Sequence, residues 1–518
     1  MRILILLSLS LFTINTFAYQ VYFGESEKSD KRNRIDLLGT INDKVYIYKS
    51  KMMPLGVEKH EIFQYDPNTL VVAKEAKLEI KRKNLERIVI FSNKILIFQS
   101  EKESRTGTQT VWYDIYDAQS LMLKQGNIEL VQIEYKKGLF SKLNSFTIIM
   151  SEDESKLAIY YDLPYEKGKP EKFGIVVYDE NMTKLYANQT ELPVQDELMT
   201  LGIPHISNDG KFYMSSREVT EKGLFGIPKN VKHHIYHVKE TGELIDNQIV
   251  LQDKYIYEYT YHTNDKGELI LTGLYGEAKR TGVNGGFYIR LNKDNAGVAS
   301  ADYTSFPDEF ITAGWSDREK KKADKRKDKG KGGPSLYNYD IRAMVTLDNG
   351  GAVFVAEQYY VVVTSYTDAN GNTRYTYHYY YNDVIILKLN GEGKFEWYAK
   401  LPKYQHSTND NGYYSSFAFH ASKEKLYFMY NDNMKNYEDG NAVGGKTYPT
   451  SFRSNKNNVT SLAEVNILDG KMSKKKLFSK GELGTIAVPK IHHSDRVANI
   501  LYIFGKKKRN ERLGKIVF

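Results

Sequence analysis

Histidine stands at positions 205, 262, 420, 492 and 493, each near the end of an apolar or aromatic run. Imidazole is a common transition-metal ligand, so a convergent set of this kind could hold a metal. No carboxylate recurs beside these histidines, and a polar ring closing a strand end by hydrogen bonding explains them more simply. Acid–base chemistry on a polysaccharide would need two converging carboxyl groups. Asp308, Glu309 and Asp410 are candidates, but nothing in their spacing selects them. Asp432, Glu438 and Asp439 lie in a stretch, 431–458, rich in Asn, Asp and Gly. Their spacing does not match a calcium-binding loop, and ordinary turn chemistry accounts for them. G-x-S-x-G, H-E-x-x-H and a phosphate-binding glycine loop are all absent. No catalytic residue, metal or cofactor is therefore assigned.

Two segments offer binding chemistry instead. Residues 358–383 alternate Tyr and β-branched residues on either side of Asp-Ala-Asn-Gly-Asn. Folding them about Asn370 sets Tyr359, Val361 and Val363 opposite Tyr381, Tyr379 and Tyr377 on one face. Tyr360 then pairs with Tyr380, and Val362 with His378, on the other. Cross-strand aromatic and β-branched pairs contribute roughly 0.2–1 kcal/mol each, so an ordered, projecting hairpin is expected. Tyr on a rigid projection suits a protein partner or a sugar face. The second segment, 318–331, holds nine Lys or Arg against three Asp or Glu. It includes Lys320, Lys321, Lys322, Lys325, Arg326 and Lys327, lacks apolar periodicity, and reads as an unstructured basic loop over 316–334. Its expected contact is an anionic envelope component.

These segments must be carried by a scaffold, and the chain repeats. A hairpin signature of apolar strand, tight Asp/Asn/Gly/Lys turn and second apolar strand begins near residues 35, 88, 146, 203, 259, 341, 415 and 488. A second hairpin with a turn of about four polar residues follows each of the first seven, as in IFQYDPNTLVV and WYDIYDAQSLML. Two hairpins make one four-stranded antiparallel sheet. Sheets recurring at this spacing predict an all-β fold, a β-propeller of eight blades, or seven if one weak repeat is misread. The eighth copy lacks its last strand. Residues 21–23 supply a candidate beside the final residues 516–518, which would close the ring and remove open edges. Tight turns fall on one face. The long insertions at 162–172, 217–232, 275–286, 307–339, 358–383 and 431–458 fall on the other, which makes that face the expected binding surface.

The turns SNDGK at 207–211 and TNDKG at 263–267 resemble those of TolB-like bacterial propeller repeats. Nearly the whole chain also resembles secreted Bacteroidetes propeller proteins. That resemblance implies the fold and carries no catalytic residues with it.

The first 18 residues read as a signal peptide, with Arg2, an apolar run from Ile3 to Phe12 and Ala18. The remaining 19–518 is expected to be one domain, exported to the periplasm or outside, with no transmembrane segment. Cysteine is absent, which excludes disulfides and a lipid-anchored N-terminus. Of the formal charge of +9, residues 318–331 account for +6 and Arg2 for +1, leaving +2 for the rest. A nucleic-acid-binding face is not expected. The sequence points to a monomeric binding or scaffold protein of the bacterial cell envelope, recognising a protein or glycan. A propeller hydrolase or lyase acting on polysaccharide or peptide is the alternative.

Overall fold

The computed structural model describes all residues except 1–13, 17–18, 29–32, 54–56, 83, 136–145, 165, 223–227, 252–253, 265, 278–281, 293–296, 331, 445–446 and 452–456. The expected signal peptide therefore lies almost wholly outside the described residues. Only Ile14–Thr16 of it is described, as a short strand paired with Tyr19–Phe23. Among the described residues no helix is long and apolar enough to cross a membrane.

The chain is all-β, and its described residues build eight mainly antiparallel sheets in sequence order, numbered here one to eight. Each begins with one of the eight expected hairpins, and each of the first seven ends with its partner hairpin. Tight turns follow from residue choice. Asn42-Asp43 and Ser92-Asn93 both adopt the left-handed backbone conformation of a two-residue turn. In the second hairpin the recurrent Asp does the work. Asp66 accepts from the backbone N–H of Asn68 and Thr69, Asp117 from Ser120, and Asp179 from Asn181 and Thr183. These bonds, with that from Lys44, hold the Asp66 carboxyl down at about 2. In the turn at 207–211, Ser207 accepts from the Lys211 N–H and bonds to Asp209.

The chain divides into two compact units. One contains sheets 2 to 5. Sheet 2 packs face to face on sheet 3 through Phe91, Leu96, Leu157 and Ile159. Sheet 3 packs on sheet 4 through Ile175, Phe212 and Met214, and sheet 4 on sheet 5 through Ile235, Leu269 and Phe287. The other unit contains sheets 6, 7, 8 and 1. Sheet 6 packs on sheet 7 through Val355, Ile386 and Phe428, and sheet 7 on sheet 8 through Met429, Leu462 and Ile503. Sheet 8 packs on sheet 1 through Val45, Ile47, Tyr502 and Phe504. Sandwiching explains the burial pattern. The second strand of sheet 5, Leu269–Gly276, is buried at every position, whereas its fourth, Val298–Ser305, alternates exposed with half-buried.

Sheet 8 is made of Ile486–Asp495, Ile500–Lys507 and Asn510–Val517, and its fourth strand is Tyr19–Phe23. The pairing sets Val21 opposite Ile516 and Phe23 opposite Gly514, as expected for the N-terminal strand. Tyr19, Val21 and Phe23 are buried against sheet 7, with the Phe23 and Phe478 rings edge to face at 5.4 Å.

One expectation fails. The basic segment is not an unstructured loop, because Asp317–Asp328 is a helix. It follows a shorter helix, α1 (Asp308–Thr312), and is called α2. Ser316 caps it, accepting from the Glu319 N–H while Glu319 reaches back to the Ser316 N–H. Ala323 is its one buried side chain. Lys, Glu, Arg and Ala are good helix formers, so a capped start and one small docking residue replace an apolar stripe.

Candidate functional site

Sheet 6 carries the tyrosine extension. Its second and third strands, Ala352–Thr367 and Thr373–Leu389, run far beyond its first and fourth, Tyr339–Thr346 and Phe395–Leu401. The register is the expected one: Tyr359 faces Tyr381, Tyr360 faces Tyr380, Val361 faces Tyr379, Val362 faces His378 and Val363 faces Tyr377. At the tip Asp368 accepts from the N–H groups of Asn370 and Asn372, and Gly371 takes a positive φ of 80°.

The extension is broader than a hairpin. Gln405–Thr408 adds a strand along His378–Tyr381, and Thr450–Ser451 adds a parallel one beside it. Four rings share one face: Tyr360 stacks on Tyr380 at 4.7 Å, Tyr380 on His406 at 4.7 Å, and His406 on His378 at 5.3 Å. The two imidazoles are hydrogen-bonded at 3.1 Å, and burial lowers the pKa of His406, which favours the neutral ring. On the opposite face the Tyr359 and Tyr381 rings lie 4.6 Å apart, and the Tyr379 hydroxyl donates to Asn411.

The six tyrosines picked from sequence do not play one role. Tyr377 is 44% exposed, Tyr359, Tyr360, Tyr379 and Tyr380 are half-buried, and Tyr381 is buried. The most exposed rings are Tyr366 at 69% and Tyr375 at 61%, with Val361, Val362 and Val363 between tip and root. Sequence reasoning passed over Tyr366 and Tyr375, although the alternation that selected Tyr377 continues to Tyr375, and that of Tyr360 and Val362 on the opposite face continues to Tyr366.

Tyr381 belongs to a charged root. Glu357 is fully buried and accepts from Lys403 at 2.7 Å, the Ser416 hydroxyl at 2.7 Å and Arg342 at 3.1 Å. Lys403 also donates to the Tyr381 carbonyl and to Gln405, whose amide reaches the Asn431 carbonyl on sheet 7. Lys490 from sheet 8 donates to the Tyr381 hydroxyl and the Asn411 carbonyl, its ammonium 4.5 Å from the Tyr381 ring centre. The residue is exposed as a whole, yet burial of its ammonium end, aided by Arg342, pulls its pKa down to about 8. Gly412, at φ 62°, lets this loop lie against Tyr381, where a Cβ would strike the ring. Three sheets are thus bolted together beneath the extension, and two cations face its innermost tyrosine pair.

Helix α2 lies within electrostatic reach of the ring-bearing face, since Glu319 acts on the Tyr404 hydroxyl. Lys320, Lys321, Lys322, Lys325, Arg326 and Lys327 are all exposed on it, and Lys327 pairs with Asp308 at 2.7 Å.

The histidines picked from sequence resolve into hydrogen bonding, except His262, whose buried Nδ1 has no partner among the described residues. His205 meets the Thr263 hydroxyl, His420 meets Ser494 and Asn499, His492 accepts from the Phe419 N–H, and His493 lies 3.4 Å from the Thr40 hydroxyl. Burial pulls His205 down to about 4 and His262 to about 3, so both are neutral. Among the described residues no group of three or more His, Asp or Glu is placed to hold a metal ion. Asp432 is buried, with Lys474, Asn436 and Tyr437 on its oxygens. Asp410 accepts from the Gly412 N–H. One carboxyl pair with raised pKa does occur, in sheet 3. Burial and then Asp196 push Glu171 up to about 7, and Asp196 is raised as well. The two carboxyls act directly on each other's titration.

No protein-family model matches the chain, and no curated protein matches it. Similarity is found among solved structures. The WD40 domain of SCAP from fission yeast aligns over 98% of this chain and 97% of its own, at 10% identity and a TM-score of 0.41. The polysaccharide lyase Uly1 aligns over 85% and 91%, at 12% identity and a TM-score of 0.36. The β-propeller domain of the Trilobed protease from Pyrococcus furiosus aligns over 72% and 99%, at 11% identity and a TM-score of 0.33. These neighbours include β-propeller proteins, among them a polysaccharide lyase and a WD40 domain, and none of them assigns a role to a residue of this chain.

Proposed function

We propose that this chain is a binding or scaffold protein of a bacterial cell envelope, exported by its N-terminal segment, that captures a protein or glycan through the extension of sheet 6. Its eight sheets are the blades of one closed propeller in this reading, an idea supported by the seating of sheet 1 on sheet 8 and by the N-terminal strand in sheet 8. The observation that carries the function is the outgrowth itself. Exposed Tyr366, Tyr375, Tyr377 and Val361–Val363 stand on a root stiffened by buried ion pairs. Aromatic side chains on a preorganised support lose little entropy on contact and dominate interface energetics. Helix α2 adds screened attraction for an anionic partner, fading over a Debye length of roughly 8 Å at physiological salt.

The test is capture from envelope extract and from an array of purified envelope glycans, at low and high salt. Replacing Tyr366, Tyr375 and Tyr377 with Ser is expected to weaken capture at least tenfold at both salt concentrations while the fold stays intact. Equal capture by this variant would remove the extension as the recognition element.

A further inference from the structure

A cavity edged by cations lies on sheet 8. Its volume is about 1040 Å³, and its walls are the turn between the second and third strands, the C-terminal end of the short helix α3 (Lys480–Leu483), and Ser26, which follows the N-terminal strand. Four of its lining residues are cations, Lys507, Lys508, Arg509 and Arg512, and none is acidic.

The surrounding carboxylates are already engaged. Glu27 pairs with Lys49, Glu511 with Lys49 and Lys506, and Glu482 with Lys476. Glu25 is exposed and outside the lining. Among the described residues no carboxylate is paired with Lys507, Lys508 or Arg509. Arg512 is held in place by bonds to the carbonyls of Gly24 and Leu483, with its guanidinium 5.4 Å from the Phe23 ring centre. It is a fixed cation rather than a mobile surface charge. Thr485, also in the lining, is 2% exposed, and its hydroxyl has no partner. Lys508 sits at φ 58°, where Asn or Gly is the usual choice.

Uncompensated positive charge around a cavity, with hydroxyls in the lining, matches a tetrahedral dianion. We propose that this cavity binds a phosphate group, carried by a free phosphorylated molecule or by a phospholipid headgroup. The site is separate from the extension of sheet 6 and stands or falls independently of it.

The experiment uses the full chain and two probes. Pyrophosphate binding is followed by titration calorimetry. Vesicles of phosphatidylglycerol in phosphatidylcholine are compared with phosphatidylcholine alone by co-sedimentation. The variant replaces Lys507→Ala, Lys508→Gly and Arg509→Ala, a turn where glycine suits the backbone. A control removes the same charge elsewhere, by Lys124→Ala, Lys184→Ala and Lys266→Ala. A second variant, Ser26→Glu, places a carboxylate in the wall without touching the turn. Both cavity variants are expected to weaken binding at least tenfold, with the control within twofold of wild type. Binding of pyrophosphate assigns the free ligand, and binding of phosphatidylglycerol vesicles alone assigns the headgroup. Wild-type failure with both probes overturns the proposal, as does equal loss in control and cavity variants.

Discussion

Removing the ammonium of Lys403 would leave the buried Glu357 carboxylate with only Arg342 and Ser416 for partners. Breaking a buried pair from one side costs about 3–5 kcal/mol, because the remaining charge has lost its compensation. Lys403→Met is therefore expected to destabilise the unit containing sheets 6, 7, 8 and 1 by about that amount in denaturant unfolding. Adding Glu357→Gln should restore part of the loss, and a double variant no better than the single would show that the pair is not coupled. At this scale the sequence was half legible. The tyrosine register could be read because strand alternation and an Asx turn are local. The root could not, because Glu357, Lys403, Ser416 and Lys490 meet only through the packing of three sheets.

Helix α2 shows how an element escapes notice. It has no apolar stripe, and its charge suggested disorder. The usable signals were Ser316 and Glu319 at capping-box spacing and the run of strong helix formers behind them. Ser316→Ala should weaken the helix by about 1 kcal/mol, seen as faster tryptic cleavage within residues 318–329. Unchanged cleavage would mean that docking through Ala323, not the cap, holds it. In sheet 3, the acid pair should make one loop respond to pH. Glu171 is raised in the fold from 4.5 to about 7, so its protonated form favours the folded loop. That contribution is complete below about 4.5 and is lost as pH rises through about 7. Hydrogen exchange at Gly168 and Asp196, whose N–H groups bond to Glu197 and the Lys169 carbonyl, should accelerate across that window beyond the intrinsic rate. Glu171→Gln should abolish the step.

Across the whole molecule, the eightfold repeat was legible because each hairpin carries its own turn chemistry and its own apolar alternation. The division into two compact units was not, since it depends on how sheets stack rather than on any local signal. The N-terminal strand was inferred from a missing partner at the other end, and its burial explains why it matters. Phe23→Ala should cost about 3–5 kcal/mol, and deletion of 20–24 should lower the melting temperature further by reopening the edge of sheet 8. A deletion variant that melts with wild type would show that sheet 8 is stable with three strands.

That same pairing sets a timetable for synthesis. Tyr19–Phe23 is made about 490 residues before its partner, Gly514–Val517. At ribosomal rates of about 5–20 residues per second, the strand waits roughly half a minute to a minute and a half before its mate exists. Throughout that interval sheet 8 cannot be finished, and Val21 and Phe23 have no sheet to enter. Until Asn510–Val517 is made, the nascent chain carries an apolar strand without its place in sheet 8, the kind of segment that cellular chaperones bind.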